Sequence, residues 1–270
     1  MRPHLLALAL FVAQLARAGG DGHPLGARLA GMGYAGSALA DLWALRLNPA
    51  GLAALDTAQV GAVYQRHFFA DELAQQGLAV AIPLGNGTLG IAADRFGYSL
   101  YNETRTSLAY AMRFGDGLRA AVQMDHVGMR LGENYGSAGT LVAELGVQAR
   151  LTNALWIGAH LYNPNRSMLG GPYDERVPTL LRAGLAYTFS SKLVMTADVE
   201  KDIDRKERFR FGIEYNPNKA LYLRTGLATG PMQGTFGAGF RLKHLDIDLA
   251  VALRSQLGPT PVIGLNYRFG

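Results

Sequence analysis

The chain has 270 residues, a formal net charge of +5, 34 glycines, 11 prolines and no cysteine. The missing cysteine excludes a disulfide framework and any Cys-ligated zinc site. A mean hydropathy of +0.06 is far from that of a bundle of transmembrane helices, and the arginines are interleaved with Asp and Glu instead of forming the basic stripe that nucleic-acid binding needs.

Residues 1–18 read as a secretory signal peptide. Arg2 and His4 give a basic start, Leu5 to Ala13 form a short apolar core, and Ala16-Arg17-Ala18 fits the small-x-small cleavage rule. The apolar run is well short of the roughly 20 residues that a spanning helix needs. No later segment is apolar for that length, so any membrane crossing falls to strands.

Residues 19–56 differ in composition from the rest of the mature chain and are expected to form a short, partly helical N-terminal plug or hatch. GARLAGMGYAGSALAD is rich in Gly and Ala, and LWALRLNPAGLAAL comes directly after it. Asp41 is placed to cap a short helical turn, and Asn48 before Pro49 forces a break. GMGYAG, Gly31 to Gly36, matches G-x-G-x-x-G, but no βαβ alternation surrounds it, so a dinucleotide site is not expected. It reads instead as a glycine-rich turn packed inside a narrow lumen, and no cofactor is expected.

From Thr57 onward the chain reads as an outer-membrane β-barrel of about fourteen antiparallel, up-and-down strands, spanning 57–270. The segment KERFRFGIEY shows the pattern. Phe209, Phe211, Ile213 and Tyr215 fall on one face of a strand, and Arg208, Arg210, Gly212 and Glu214 fall on the other. The same split recurs in strands near 57–66, 73–84, 88–98, 103–114, 118–131, 139–151 and 155–163. It continues near 179–189, 192–201, 206–216, 220–229, 233–242, 245–255 and 260–269. Tight turns such as Gly85-Asn86-Gly87, Gly115-Asp116-Gly117 and Pro217-Asn218-Lys219 alternate with longer connections such as 164–178. Short turns at one end and longer loops at the other is the outer-membrane arrangement, and an even strand count puts both termini on the periplasmic side.

Leu145, Leu185, Leu223, Leu249 and Leu265 belong to the expected lipid face. The expected lumen charges are Asp198, Glu200, Arg208, Arg210, Arg224, Arg241, Asp246 and Asp248. A hairpin around Asp204 sets Glu200 opposite Arg208 and Asp198 opposite Arg210, pairs expected to fill and rigidify the lumen, with a substrate or ion path as the alternative. Parity slips near Asp94 to Phe96 and near Asp125 to Val127, where bulges or the membrane boundary are expected. The six histidines show no metal-site spacing, and there is no G-x-S-x-G. The reading is therefore non-enzymatic, with no catalytic, cofactor-binding or metal-binding residues.

The run Ala27-Arg28, Gly31-Met32-Gly33, Asp41 and Asn48-Pro49-Ala50 resembles the start of the PorV/PorQ group within the FadL-like outer-membrane proteins. That resemblance implies a fourteen-stranded barrel and two kinds of role. PorV- and PorQ-like barrels are accessory subunits of the type IX secretion system, with secretion or envelope proteins as partners, and this is the first expectation. FadL-like transporters pass hydrophobic small molecules through a lumen closed by an N-terminal hatch, which is the alternative. Either role places the chain among outer-membrane lipid.

Overall fold

A computed structural model of the protein describes residues 24–132, 136–170, 175–255 and 257–270. The signal peptide expected at 1–18 lies outside them. Strands β1 (Gln59–Arg66), β2 (Ala74–Leu84), β3 (Gly87–Gly97), β4 (Tyr101–Phe114), β5 (Leu118–Leu131), β6 (Ser137–Arg150) and β7 (Leu155–Tyr162) make the first half of the barrel. After a two-stranded ribbon of β8 (Met168–Leu169) and β9 (Glu175–Arg176) come β10 (Leu180–Ser190), β11 (Leu193–Asp202), β12 (Arg208–Asn218) and β13 (Leu221–Ala228). The last three are β14 (Gln233–Leu242), β15 (Leu245–Arg254) and β16 (Gly258–Arg268).

Each barrel strand pairs antiparallel with its sequence neighbours, β7 with β10 across the ribbon, and β16 closes back on β1. Closure matters because an open edge in hydrocarbon leaves backbone N–H and C=O groups unpaired. This is the fourteen-stranded membrane barrel that the alternation predicts. The ribbon was not expected, since two-residue strands carry no periodic signal.

The outward side chains are apolar and exposed along almost every strand. Leu78, Val122 and Phe236 are 61%, 58% and 55% exposed. Such a continuous band is covered by lipid in a barrel of this kind. Tyr187 stacks edge-on with Phe189 at 4.5 Å, and Tyr267 with Phe269 at 4.9 Å, at the turn-bearing ends of β10 and β16, as interfacial aromatics do.

The bulges expected near residues 94–96 and 125–127 are absent. The register runs unbroken through Asp94↔Arg105 and Ser107↔Asp125. Asp94 and Asp125 point inward, and the neighbouring Arg95 and His126 point outward. What looked like a slip is a change in the character of the outer face. The register shifts that do occur lie beside turns, at Thr188/Ser190 and Tyr215/Asn218.

Leu249 lies at mid-strand on the lipid face of β15. Leu249→Arg is expected to destabilise the barrel by about 2–4 kcal/mol, the cost of a cation at the bilayer midplane, read by urea unfolding in lipid vesicles.

Candidate functional site

Residues 24–55 lie inside the barrel. A short helix, α1 (Ala27–Gly31), is followed by two 3-10 turns, Leu42–Arg46 and Pro49–Ala54. The caps explain the breaks. Asp41 Oδ1 accepts from Trp43 N at 2.8 Å, and Asn48 Oδ1 accepts from Ala50 N at 3.2 Å, with Pro49 at the first helical position. Leu25, Leu29, Met32, Trp43, Leu45 and Leu52 form a fully buried apolar cluster. It packs on inward alanines such as Ala79, Ala92, Ala109 and Ala250. The inner wall is small where the plug touches it. A Cβ at Gly226 would collide with Gly33 N, and one at Gly158 would collide with Ser37 O.

Polar groups fasten the plug to the wall. Arg28 reaches Glu214 with two bonds, Nε to Oε2 at 2.9 Å and Nη2 to Oε1 at 2.8 Å, and donates through Nη1 to Asp41 Oδ2 at 3.0 Å. Burial alone would lower the Arg28 pKa, but the Glu214 and Asp41 carboxylates hold it well above its ordinary value. Arg224 continues the chain, donating through Nε to Glu214 at 2.7 Å and through Nη1 to Asp248 at 2.6 Å. On β11, adjacent to the Glu214 strand β12, Asp198 Oδ2 accepts from Gly36 N, Ser37 N and Ser37 Oγ at 3.0, 2.9 and 2.7 Å. The Ser37 carbonyl accepts from Asn48 Nδ2 at 2.7 Å and Gln148 Nε2 at 3.1 Å. Arg46, only 2% exposed, pairs with Asp94 and donates to Ser107 Oγ at 2.6 Å.

A second network lies beside the plug on the inner faces of β4 to β12. Arg105 pairs with Asp125 and Glu144, and Glu144 Oε2 lies 2.6 Å from His160 Nε2. Arg182 Nη1 lies 3.3 Å from His160 Nδ1. Arginine only donates, so Nδ1 accepts and Nε2–H donates to Glu144, a neutral histidine held between two charges. Arg182 and Arg210 then share Glu200, at 2.5 and 2.9 Å.

The residues singled out in the sequence fall in several places. Gly31, Met32 and Gly33 form the turn that presses on β12 to β14, where the Gly31 carbonyl accepts from Thr235 Oγ1 at 3.0 Å. Asp41 joins the Arg28 network, and Asn48, Pro49 and Ala50 open the second 3-10 turn. Asp198, Glu200, Arg210, Arg224 and Asp248 are buried in the networks. The register sets Asp198 opposite Arg210 and Glu200 opposite Arg208, yet Asp198 spends its hydrogen bonds on the plug, and Arg208 stands 3.9 Å from Glu200. Arg241 and Asp246 pair at 3.2 Å at the turn-bearing mouth, partly in solvent. Sequence reasoning missed Arg46, Asp94, Arg105 and Asp125. Unbroken alternation through residues 91–97 and 121–130 is the signal that would have turned both aspartates inward.

The plug separates two cavities. At the loop-bearing end a recess of about 300 Å³ ends on Gly33 and Tyr34, with walls that include Phe68, Phe96, Arg208 and Arg254. Tyr34 donates to Gln65 Oε1 at 2.7 Å, and burial raises its phenol pKa well above the usual range. A smaller cavity of about 170 Å³ at the turn-bearing end is lined by Arg28, Asp41, Tyr222 and Arg241.

Solved structures of other barrels share this shape. The Pseudomonas putida toluene transporter TodX matches at a TM-score of 0.73 and 15% identity, over 92% of this chain and 99% of that one. The fold is FadL-like. The Ralstonia pickettii toluene transporter TbuX matches at 0.71 and 15% identity, over 93% and 100%. A Pseudomonas aeruginosa FadL homologue matches at 0.59 and 12% identity, over 89% and 98%. No protein-family model and no curated protein matches the chain, so the PorV/PorQ resemblance of the N-terminal motif has no family match behind it.

Two variants test the fastening. Arg224→Met leaves Glu214 and Asp248 short of a buried cation and is expected to cost roughly 3–5 kcal/mol in denaturant unfolding. Gly226→Leu collides with Gly33 and is expected to displace the plug without opening the barrel. It should read as new protease cleavage within residues 24–56 while the strands stay protected.

Proposed function

We propose that the chain is a non-enzymatic outer-membrane channel for small hydrophobic molecules, gated by its N-terminal plug, with both termini on the periplasmic side. The observation that carries this reading is the recess at the loop-bearing end. Phe68 and Phe96 line it beside charged groups that include Glu200, Arg208, Arg210 and Arg254, and it ends on the plug at Gly33 and Tyr34, as a capture site above a closed gate does. The two solved toluene transporters that share the fold add to it. The accessory role in a secretion assembly, expected first from the N-terminal motif, draws no support from these neighbours.

The plug is fastened by hydrogen bonds and ion pairs, so it can shift as a unit. A way out suggests itself behind the Asp198 tether. Gly158 and Gly184 face each other on β7 and β10, and the groove outside them, about 530 Å³, is lined by Ala159, Ala183, Ala197 and two phenylalanines. The plug turn Gly36–Ser37 presses against the wall there, and Gly158 puts no side chain between them. In this reading a molecule held in the recess moves past the shifted turn and leaves sideways into the bilayer.

Cells carrying the chain in their outer membrane are expected to take up labelled toluene several times faster than cells without it. Ala252→Trp, which fills the recess, is expected to return uptake to background while the protein keeps its heat-modifiable gel mobility. Uptake equal with and without the chain would overturn the proposal.

A further inference from the structure

The outer wall is not apolar all the way round. On β3, β4 and β5 the outward positions change character toward the loops. Ile91, Leu108, Val122 and Met124 give way to Arg95, Thr104, His126 and Arg130, all exposed. At a comparable distance from the turns, the opposite side of the barrel still presents Leu181, Phe209 and Leu227.

The register brings the polar residues together. Arg95 lies opposite Thr104, and Thr104 lies opposite Gly128. His126 and Arg130 stand two positions to either side of Gly128 on the same face. With strands about 4.8 Å apart and about 3.4 Å of rise per residue, the Arg95 and Arg130 backbones are about 12 Å apart. Two arginine side chains span that gap to one group. Gly128 pairs with Gly139 of β6, and neither contributes a side chain, so a shallow floor lies between the arginines. The His126 ring leans over it, its Nε2 3.1 Å from where a Gly139 Cβ would stand.

Among the described residues the rim is cationic. The carboxylates of these strands, Asp94, Glu103 and Asp125, face the lumen. Among the described residues neither Arg95 nor Arg130 has an ion-pair partner. Arg95 Nη2 donates to the Tyr98 carbonyl, at 3.2 Å. Guanidinium pairs of this kind suit a dianionic phosphate, and Thr104, Asn102 and Ser137 beside them suit sugar hydroxyls. The floor opens downward onto the apolar wall, where acyl chains lie.

We infer that this dish binds the phosphorylated sugar headgroup of a glycolipid of the lipid A type, in the leaflet at the loop-bearing end. The inference rests on the proposed outer-membrane placement of the barrel and not on the transport reading. It commits to a phosphomonoester on a sugar over the phosphodiester of an ordinary phospholipid.

The test is native mass spectrometry of the full barrel in mild detergent, titrated with lipid A or with phosphatidylglycerol. The wild type is expected to retain lipid A in preference to phosphatidylglycerol. The double variant Arg95→Gln/Arg130→Gln is expected to bind lipid A at least tenfold more weakly, since two charge-assisted contacts are lost. Lys219→Gln, at the turn-bearing end, is expected to bind as the wild type does. Both altered positions face outward, and heat-modifiable mobility confirms that the variant barrels are closed. Undiminished lipid A retention by the double variant, or equal retention of the two lipids by the wild type, would overturn the inference.

Discussion

Backbone hydrogen bonding in hydrocarbon is the constraint on which everything else in this molecule depends. A strand facing lipid finds no water for its N–H and C=O groups, so the sheet has to close. Closure of fourteen strands leaves a lumen too wide to be filled by the wall's own side chains. The chain resolves this with residues 24–55, which place a leucine-rich cluster inside a ring of alanines and glycines. Under the plug the inner wall thus sets small apolar residues between buried charged groups, and the outer wall is apolar almost throughout.

Electrostatics then sets where the plug lies. Buried ion pairs are weak evidence for stability, because desolvation offsets most of their attraction. Their geometry matters more here. Arg28 bridges the plug to Glu214 on β12, Asp198 on β11 receives the Gly36–Ser37 turn, and Arg46 reaches Asp94 on β3. Two of these contacts lie on adjacent strands and the third lies half-way round the ring on β3; together they fix position and rotation, and none is covalent. That combination allows a plug to be both well placed and displaceable.

The barrel was legible in the sequence because period-two alternation is written into each strand. Phe209 to Tyr215 alone separates lipid from lumen, and the pairing of Glu200 with Arg208 came from the hairpin around Asp204. The plug's interior was less legible. Arg46 sits in a short turn with no periodicity, and its partner Asp94 lies 48 residues on, in a strand whose outer face turns polar. That polar stretch broke the apolar signal without breaking the register, so Asp94 and Asp125 read as a slip. The β8–β9 ribbon is too short to carry a pattern. Local alternation is visible in one strand, but which inward group meets which plug atom depends on closure of the whole ring.

The central claim is that lipid covers one face of each strand and the plug covers the other. The chain has no cysteine, so single cysteines can be placed at each position from Ile247 to Leu253 and challenged in vesicles with a lipid-dissolved maleimide. Reaction at Ile247, Leu249, Val251 and Leu253 with protection at Asp248, Ala250 and Ala252 is the predicted result. Uniform reaction along the strand, or protection at all seven positions, would contradict the account.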